Sequence, residues 1–161
     1  MERRQFVRRA VLFSAPVAVL SGCVEDEPVD DEDEDDEPPD EREVSLADTR
    51  FETVRRGGGT RGDEVSFDFD EEAQTVTVEG LLTGRNSCYT AELESADYDA
   101  VEDVFAMNVR PFEDRDEDEM CLQVITEIEY RVVAEFEDGI PGRAVVSHRG
   151  TEVAEATRPE G

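Results

Sequence analysis

An all-β fold, a single antiparallel β-sandwich or open barrel of about seven strands, is what the sequence predicts for residues 44–161. Three observations predict it. Apolar residues recur at every second position in several short runs, Gly, Asp and Pro gather between those runs, and no stretch of this region carries the apolar period of a helix. A segment of about 118 residues is ample for one domain and short for two.

Val65, Phe67 and Phe69 alternate with polar residues, Asp70 to Ala73 turn the chain, and Val76 and Val78 alternate again. This predicts a hairpin, its end loosened by Gly80 and Gly84. Tyr89, Ala91 and Leu93 predict a third strand, and Phe105, Met107 and Val109 a fourth that stops before Pro111. A short helical turn is expected between them over Ala96 to Asp103. The clearest signal places Leu122, Val124, Thr126, Ile128, Tyr130, Val132, Ala134 and Phe136 on one face, with Gln123, Glu127, Glu129, Arg131 and Glu135 on the other. At about 3.4 Å per residue this half-buried strand would exceed roughly 50 Å, so a bend or bulge is expected within it. Asp138 to Gly142 then turn the chain into Ala144, Val146 and His148, and Arg149-Gly150 into Thr151, Val153 and Glu155. The architecture resembles an immunoglobulin domain in outline only. There is no Trp, and Cys88 and Cys121 lie closer in sequence than that family's disulfide.

Ahead of this domain, Arg3, Arg4, Arg8 and Arg9 precede a short apolar run from Ala10 to Leu20 that is broken by Pro16. The run is well short of the roughly 20 residues that span hydrocarbon, so residues 1–22 read as a signal peptide. Arg3-Arg4-Gln5-Phe6-Val7 resembles the twin-arginine export motif, with Glu2 where that motif usually has Ser or Thr. Leu20-Ser21-Gly22-Cys23 resembles a lipobox, in which small residues admit the peptidase and the Cys23 thiol takes the lipid. These two motifs imply a protein anchored by lipid at the outer face of the cell membrane. The stretch from Asn86-Ser87-Cys88-Tyr89-Thr90-Ala91 through Cys121-Leu122-Gln123 to Ile128-Glu129-Tyr130 and Gly139-Ile140-Pro141 resembles small haloarchaeal lipoproteins of unknown activity. That resemblance implies no function.

Residues 44–161 hold 29 Asp and Glu against 11 Arg, a net of −18, residues 24–43 hold 14 against one, and lysine is absent from the chain. Charge of this density repels itself in dilute buffer, and salt near 1 M shrinks the Debye length to about 3 Å. A salt-loving host is the reading that fits. From Cys23 to Glu43 the chain reads as a lipidated residue followed by a disordered acidic tether, which proline and self-repulsion keep extended to at most about 70 Å. An acidic tail that recognises a basic partner, or a cation sink, is the alternative for this segment. No basic patch is present to release counterions, so nucleic acid is excluded as a partner.

Candidate chemistry is sparse. Blue-copper sites need two His, and this chain has only His148. Ser147 and His148 are neighbours on a strand, so their side chains point to opposite faces and cannot act as nucleophile and base. Asp114, Asp116 and Asp118, with Glu113, Glu117 and Glu119, crowd one loop and are the weak candidates for a cation site. The EF-hand pattern counted from Asp114 fails, since its Gly and final Glu positions are Glu119 and Ile125. Gly57-Gly58-Gly59 lacks the residues of a phosphate loop and reads as a flexible loop. No cofactor is implied. Two classes of function remain: a non-enzymatic surface module that binds another envelope protein or a ligand, and a carboxylate-based enzyme or cation-dependent site seated on Asp114 to Glu119.

With Cys23 taken by lipid, Cys88 and Cys121 form an even pair in an oxidising compartment, and a disulfide between them is predicted. In a flat three-stranded meander the two would lie about 9.6 Å apart, beyond the roughly 7 Å that the bond tolerates. The bond therefore requires that their strands face each other across a sandwich, lie side by side, or have leading loops that curl together.

Overall fold

The computed structural model of the chain describes residues 43–161. The expected signal peptide with Arg3, Arg4 and Phe6, the expected lipidation site Cys23 and the expected acidic tether up to residue 42 lie outside the described residues.

Eight strands follow in order: β1 (Ser45–Gly58), β2 (Glu64–Asp70), β3 (Thr75–Gly84), β4 (Tyr89–Asp99), β5 (Val104–Glu113), β6 (Thr126–Glu137), β7 (Arg143–His148) and β8 (Thr151–Thr157). They form two four-stranded sheets, ordered β1-β6-β3-β2 and β4-β5-β7-β8. The sheets close on a common core. From the first come Val76, Val78, Leu82, Ile128, Tyr130, Val132, Ala134 and Phe136, and from the second Ala91, Phe105, Met107, Val109, Ala144 and Val146. The fold is thus an all-β sandwich, as the alternation predicts.

β6 shows how the sequence builds it. Its even-numbered residues from Thr126 to Phe136 are buried, and β6 lies between β1 and β3. On its outer face Arg131 stands opposite Glu52 of β1 and Glu79 of β3, and bonds both. Cross-strand pairs of this kind favour one register over its neighbours. All three side chains are well exposed, so these pairs favour the register while adding little to overall stability.

Several expectations need correction. The sandwich is not wholly antiparallel, because β5 and β7 pair in parallel. The chain leaves β5, runs back through the opposite sheet as β6, and returns beside β5 as β7, so a strand serves as the crossover that a parallel pair demands. An eighth strand, β1, precedes the expected set, and Gly57 and Gly58 belong to it rather than to a flexible loop. Ala96 to Asp99 continue β4, and the turn beyond them contains no helix. β5 does not stop before Pro111; it runs on to Glu113. β6 starts at Thr126 and pairs without a bulge to β3, so Leu122 and Val124 are not strand residues. Gly80 does not loosen its strand either. A side chain there would meet the Tyr130 ring at 2.2 Å, and its absence lets that ring enter the core.

Candidate functional site

One end of the sandwich gathers the ends of β1, β3, β5 and β7 with the starts of β2, β4, β6 and β8. The disulfide, the buried His148 and the buried Glu127 all lie there. Residues 114–125 connect β5 to β6 across this end as a long segment without regular structure. Such a segment is normally mobile, and here it is tied at several points. The Cys88–Cys121 disulfide is present, with Cα atoms 5.4 Å apart. Cys88 immediately precedes β4 and Cys121 lies within the 114–125 segment, so the bond joins two leading loops from opposite sheets. The Ser87 amide donates to the Leu122 carbonyl at 3.0 Å, and the Leu122 amide to Ser87 Oγ at 2.8 Å. The Asp114 amide reaches the Cys88 carbonyl, and the Gly59 amide the Ile125 carbonyl.

The side chains on this tied segment face solvent. Met120 is 92% exposed, Leu122 68%, Ile125 51% and Val124 46%. Scattered apolar residues on a surface require no explanation, but four within six consecutive positions on a pinned loop form a patch. Its acidic shoulder is Asp114, Asp116, Glu117, Asp118 and Glu119, all exposed. Among the described residues no three His, Cys, Asp or Glu side chains are arranged to hold a metal ion.

His148 sits just inside the same end, 3% exposed, while Ser147 points the other way. Its Nδ1 lies 2.9 Å from Asp63 Oδ1 and its Nε2 2.8 Å from the Tyr130 hydroxyl. An ionised Asp63 can only accept, so Nδ1 carries the proton, Nε2 accepts, and Tyr130 donates. Burial lowers the proton affinity of His148, and the Asp63 carboxylate offsets part of this; burial likewise raises the pKa of Tyr130. The chain resembles a catalytic relay in outline, yet its hydroxyl belongs to a tyrosine that is 1% exposed. In this arrangement the relay satisfies buried polar atoms.

On the outer side of the first sheet, residues 59–63 fold over Glu127, which is buried to 8% exposure. The Arg61 backbone N–H donates to Glu127 Oε1, and this bond above all holds the Glu127 carboxyl below its usual range. Gly59 leaves room for it, and a side chain there would displace the Glu127 carboxylate.

The sequence therefore located the disulfide and the isolation of His148 from Ser147, and missed Asp63 and Tyr130 as its partners. It also assigned Leu122 and Val124 to the core. The available signal was Cys121 itself, since a cysteine tied to a residue 33 positions away limits how the next few residues can join a strand. Searches among known protein families, curated proteins and solved structures find no match to this chain.

Proposed function

We propose that this chain is a lipid-anchored, non-enzymatic module at the outer face of the cell membrane that binds another envelope protein through residues 120–125. The observation that carries the reading is the exposure of Met120, Leu122, Val124 and Ile125 on a segment held by a disulfide and backbone hydrogen bonds. A pinned loop loses little conformational entropy on binding, so apolar contact there converts efficiently into affinity. The adjoining Asp114 to Glu119 run fits a partner whose apolar recess is edged by basic side chains. The motifs at Arg3-Arg4 and Leu20 to Cys23 supply the location. The carboxylates around the concavity lined by Glu64, Glu79 and Glu129 lend the enzymatic alternative little support, because Glu79 and Glu129 are engaged by Arg131 and Arg55.

A photoreactive side chain placed at Leu122 in intact cells tests the reading, with the same group at Val101 as reference. Val101 is 95% exposed and lies at the opposite end, in the β4–β5 turn. One discrete crosslinked protein from position 122 and none from 101 is expected. Equal labelling from both positions, or none from 122, overturns the docking surface.

A further inference from the structure

Guanidinium is scarce in this domain and carboxylate abundant, so an arginine without an acidic neighbour is the unusual case. Eight of the eleven arginines from residue 44 onward lie within ion-pair distance of a described carboxylate. The other three are Arg56, Arg85 and Arg149, and all three converge on Tyr89. Arg56 Nη1 donates to the Tyr89 carbonyl at 3.4 Å. Arg85 and Arg149 line, with Thr83, Gly84, Tyr89 and Pro111, a concavity of about 220 Å³ between the β3–β4 and β7–β8 turns. No carboxylate lines it.

Arg149 is also an odd choice for its position. It has a φ of 54° and precedes Gly150 at 78°, the paired positive angles of a tight hairpin turn in which Asn, Asp or Gly are favoured. A residue held in that region against its preference points to a role for its side chain. That side chain turns back, donating Nη2 to the Thr83 carbonyl, which fixes the guanidinium at the wall of the concavity. The remaining N–H donors of Arg149, and those of Arg85, meet no described protein acceptor. Gly84 shapes the same hollow: a side chain there would meet Tyr89 Cβ at 2.2 Å, so glycine lets Tyr89 pack close against the β3 end.

We propose that Arg85 and Arg149, with Tyr89 as a wall, form a binding site for one small oxyanion group, a phosphate, sulfate or carboxylate. Two planar donor forks match the oxygen pairs of these groups, and contact geometry survives salt that screens longer-range attraction. The volume is below the range of about 300–1,000 Å³ that holds a drug-sized ligand, so the site takes a charged head rather than a whole larger molecule.

Calorimetric titration and thermal melts of the full chain, with phosphate, sulfate and acetate in turn at fixed ionic strength in multimolar KCl, test this and separate the three chemistries. At least one anion should give a saturable, one-site response. Arg85→Ala, an exposed loop substitution, should weaken it about tenfold or more, as expected for the loss of a charged hydrogen-bonding partner. Arg149→Asn keeps a residue suited to the turn and should abolish it without unfolding the domain. Arg50→Ala, which removes a guanidinium already paired with Glu135, should leave it unchanged. A response that never saturates, or that is the same in Arg85→Ala, is general salt stabilisation and overturns the site, as does the absence of any response.

Discussion

The most constrained residue is His148, because both of its ring nitrogens are committed inside the sandwich. Tyr130→Phe would leave Nε2 buried without a donor, and an orphaned polar atom costs about 1–3 kcal/mol. Chemical denaturation in high salt should show a loss of that size. Gly80→Ala should act on the same ring by collision, since the Cβ has nowhere to go but into Tyr130. Acid reaches the network as well. Burial lowers the folded-state pKa of His148 below its ordinary 6.5, so the unfolded chain takes a proton that the folded one resists. Stability from this source is complete above pH 6.5 and falls as pH drops through and below it. Glu127 adds a separate, more acidic step. Its pKa is lowered from 4.5 chiefly by the Arg61 N–H, so its contribution is present above that value and is lost as pH falls further. Melting temperatures measured against pH should fall in two stages, and Glu127→Gln should remove only the more acidic one.

At the scale of elements, the disulfide and the 114–125 segment act as one unit. Closing a loop with a separation of 33 residues stabilises the fold by about 4 kcal/mol in the chain-entropy model. Reduction should therefore lower stability by that order and, in addition, free residues 114–125 for proteolysis while β6 stays protected. Limited digestion with and without reductant checks this; cleavage at the same rate in both states would mean that the hydrogen bonds to Ser87 suffice to hold the segment. Leu122→Ser should change stability by no more than about 0.5 kcal/mol, the ordinary range for a surface position, which separates its proposed binding role from a packing role. These elements also show what the sequence could disclose. Alternation marks β2 and β7 cleanly because each turns one face inward along its whole length; in β8 the expected face of Thr151, Val153 and Glu155 is the exposed one, and Ala154 and Ala156 are half-buried. It misled at Leu122 and Val124, where the alternation of β6 continues into a segment that no strand partners. β1 was missed because its register shifts at Leu46/Asp48 and Thr53/Arg55 break the two-residue period. The parallel pairing of β5 with β7, the Asp63–His148 contact and the grouping of Arg85 with Arg149 depend on which strands come together, and no local pattern encodes that.

For the whole molecule, two questions concern place and medium. Cys23→Ser should leave the protein in the medium or as uncleaved precursor, and Arg3 and Arg4 changed together to Lys should block export; fractionation of cells against culture fluid reads both outcomes. The medium is the deeper constraint. Eight arginines are already matched to neighbouring carboxylates, yet the domain retains a net of −18, so carboxylates far outnumber the cations that could neutralise them. Their mutual repulsion acts over the Debye length, about 10 Å at 0.1 M salt and about 3 Å at 1 M. The first distance spans neighbouring strands and much of a sheet, and the second barely exceeds a hydrogen bond. Dilution of salt thus switches on repulsion across entire faces of the sandwich, while the apolar core remains the same. The melting temperature should accordingly climb steeply between about 0.1 M and 1 M salt and flatten beyond it. Equal ionic strengths of NaCl and KCl should act alike, and a neutral osmolyte should not substitute for them. Changing Asp114, Asp116 and Asp118 together to Asn removes three charges from an exposed loop and should shift the whole curve toward lower salt. A melt that does not move with salt over this range, or a triple variant whose salt dependence is unaltered, would refute self-repulsion among the carboxylates as a determinant of this domain's stability.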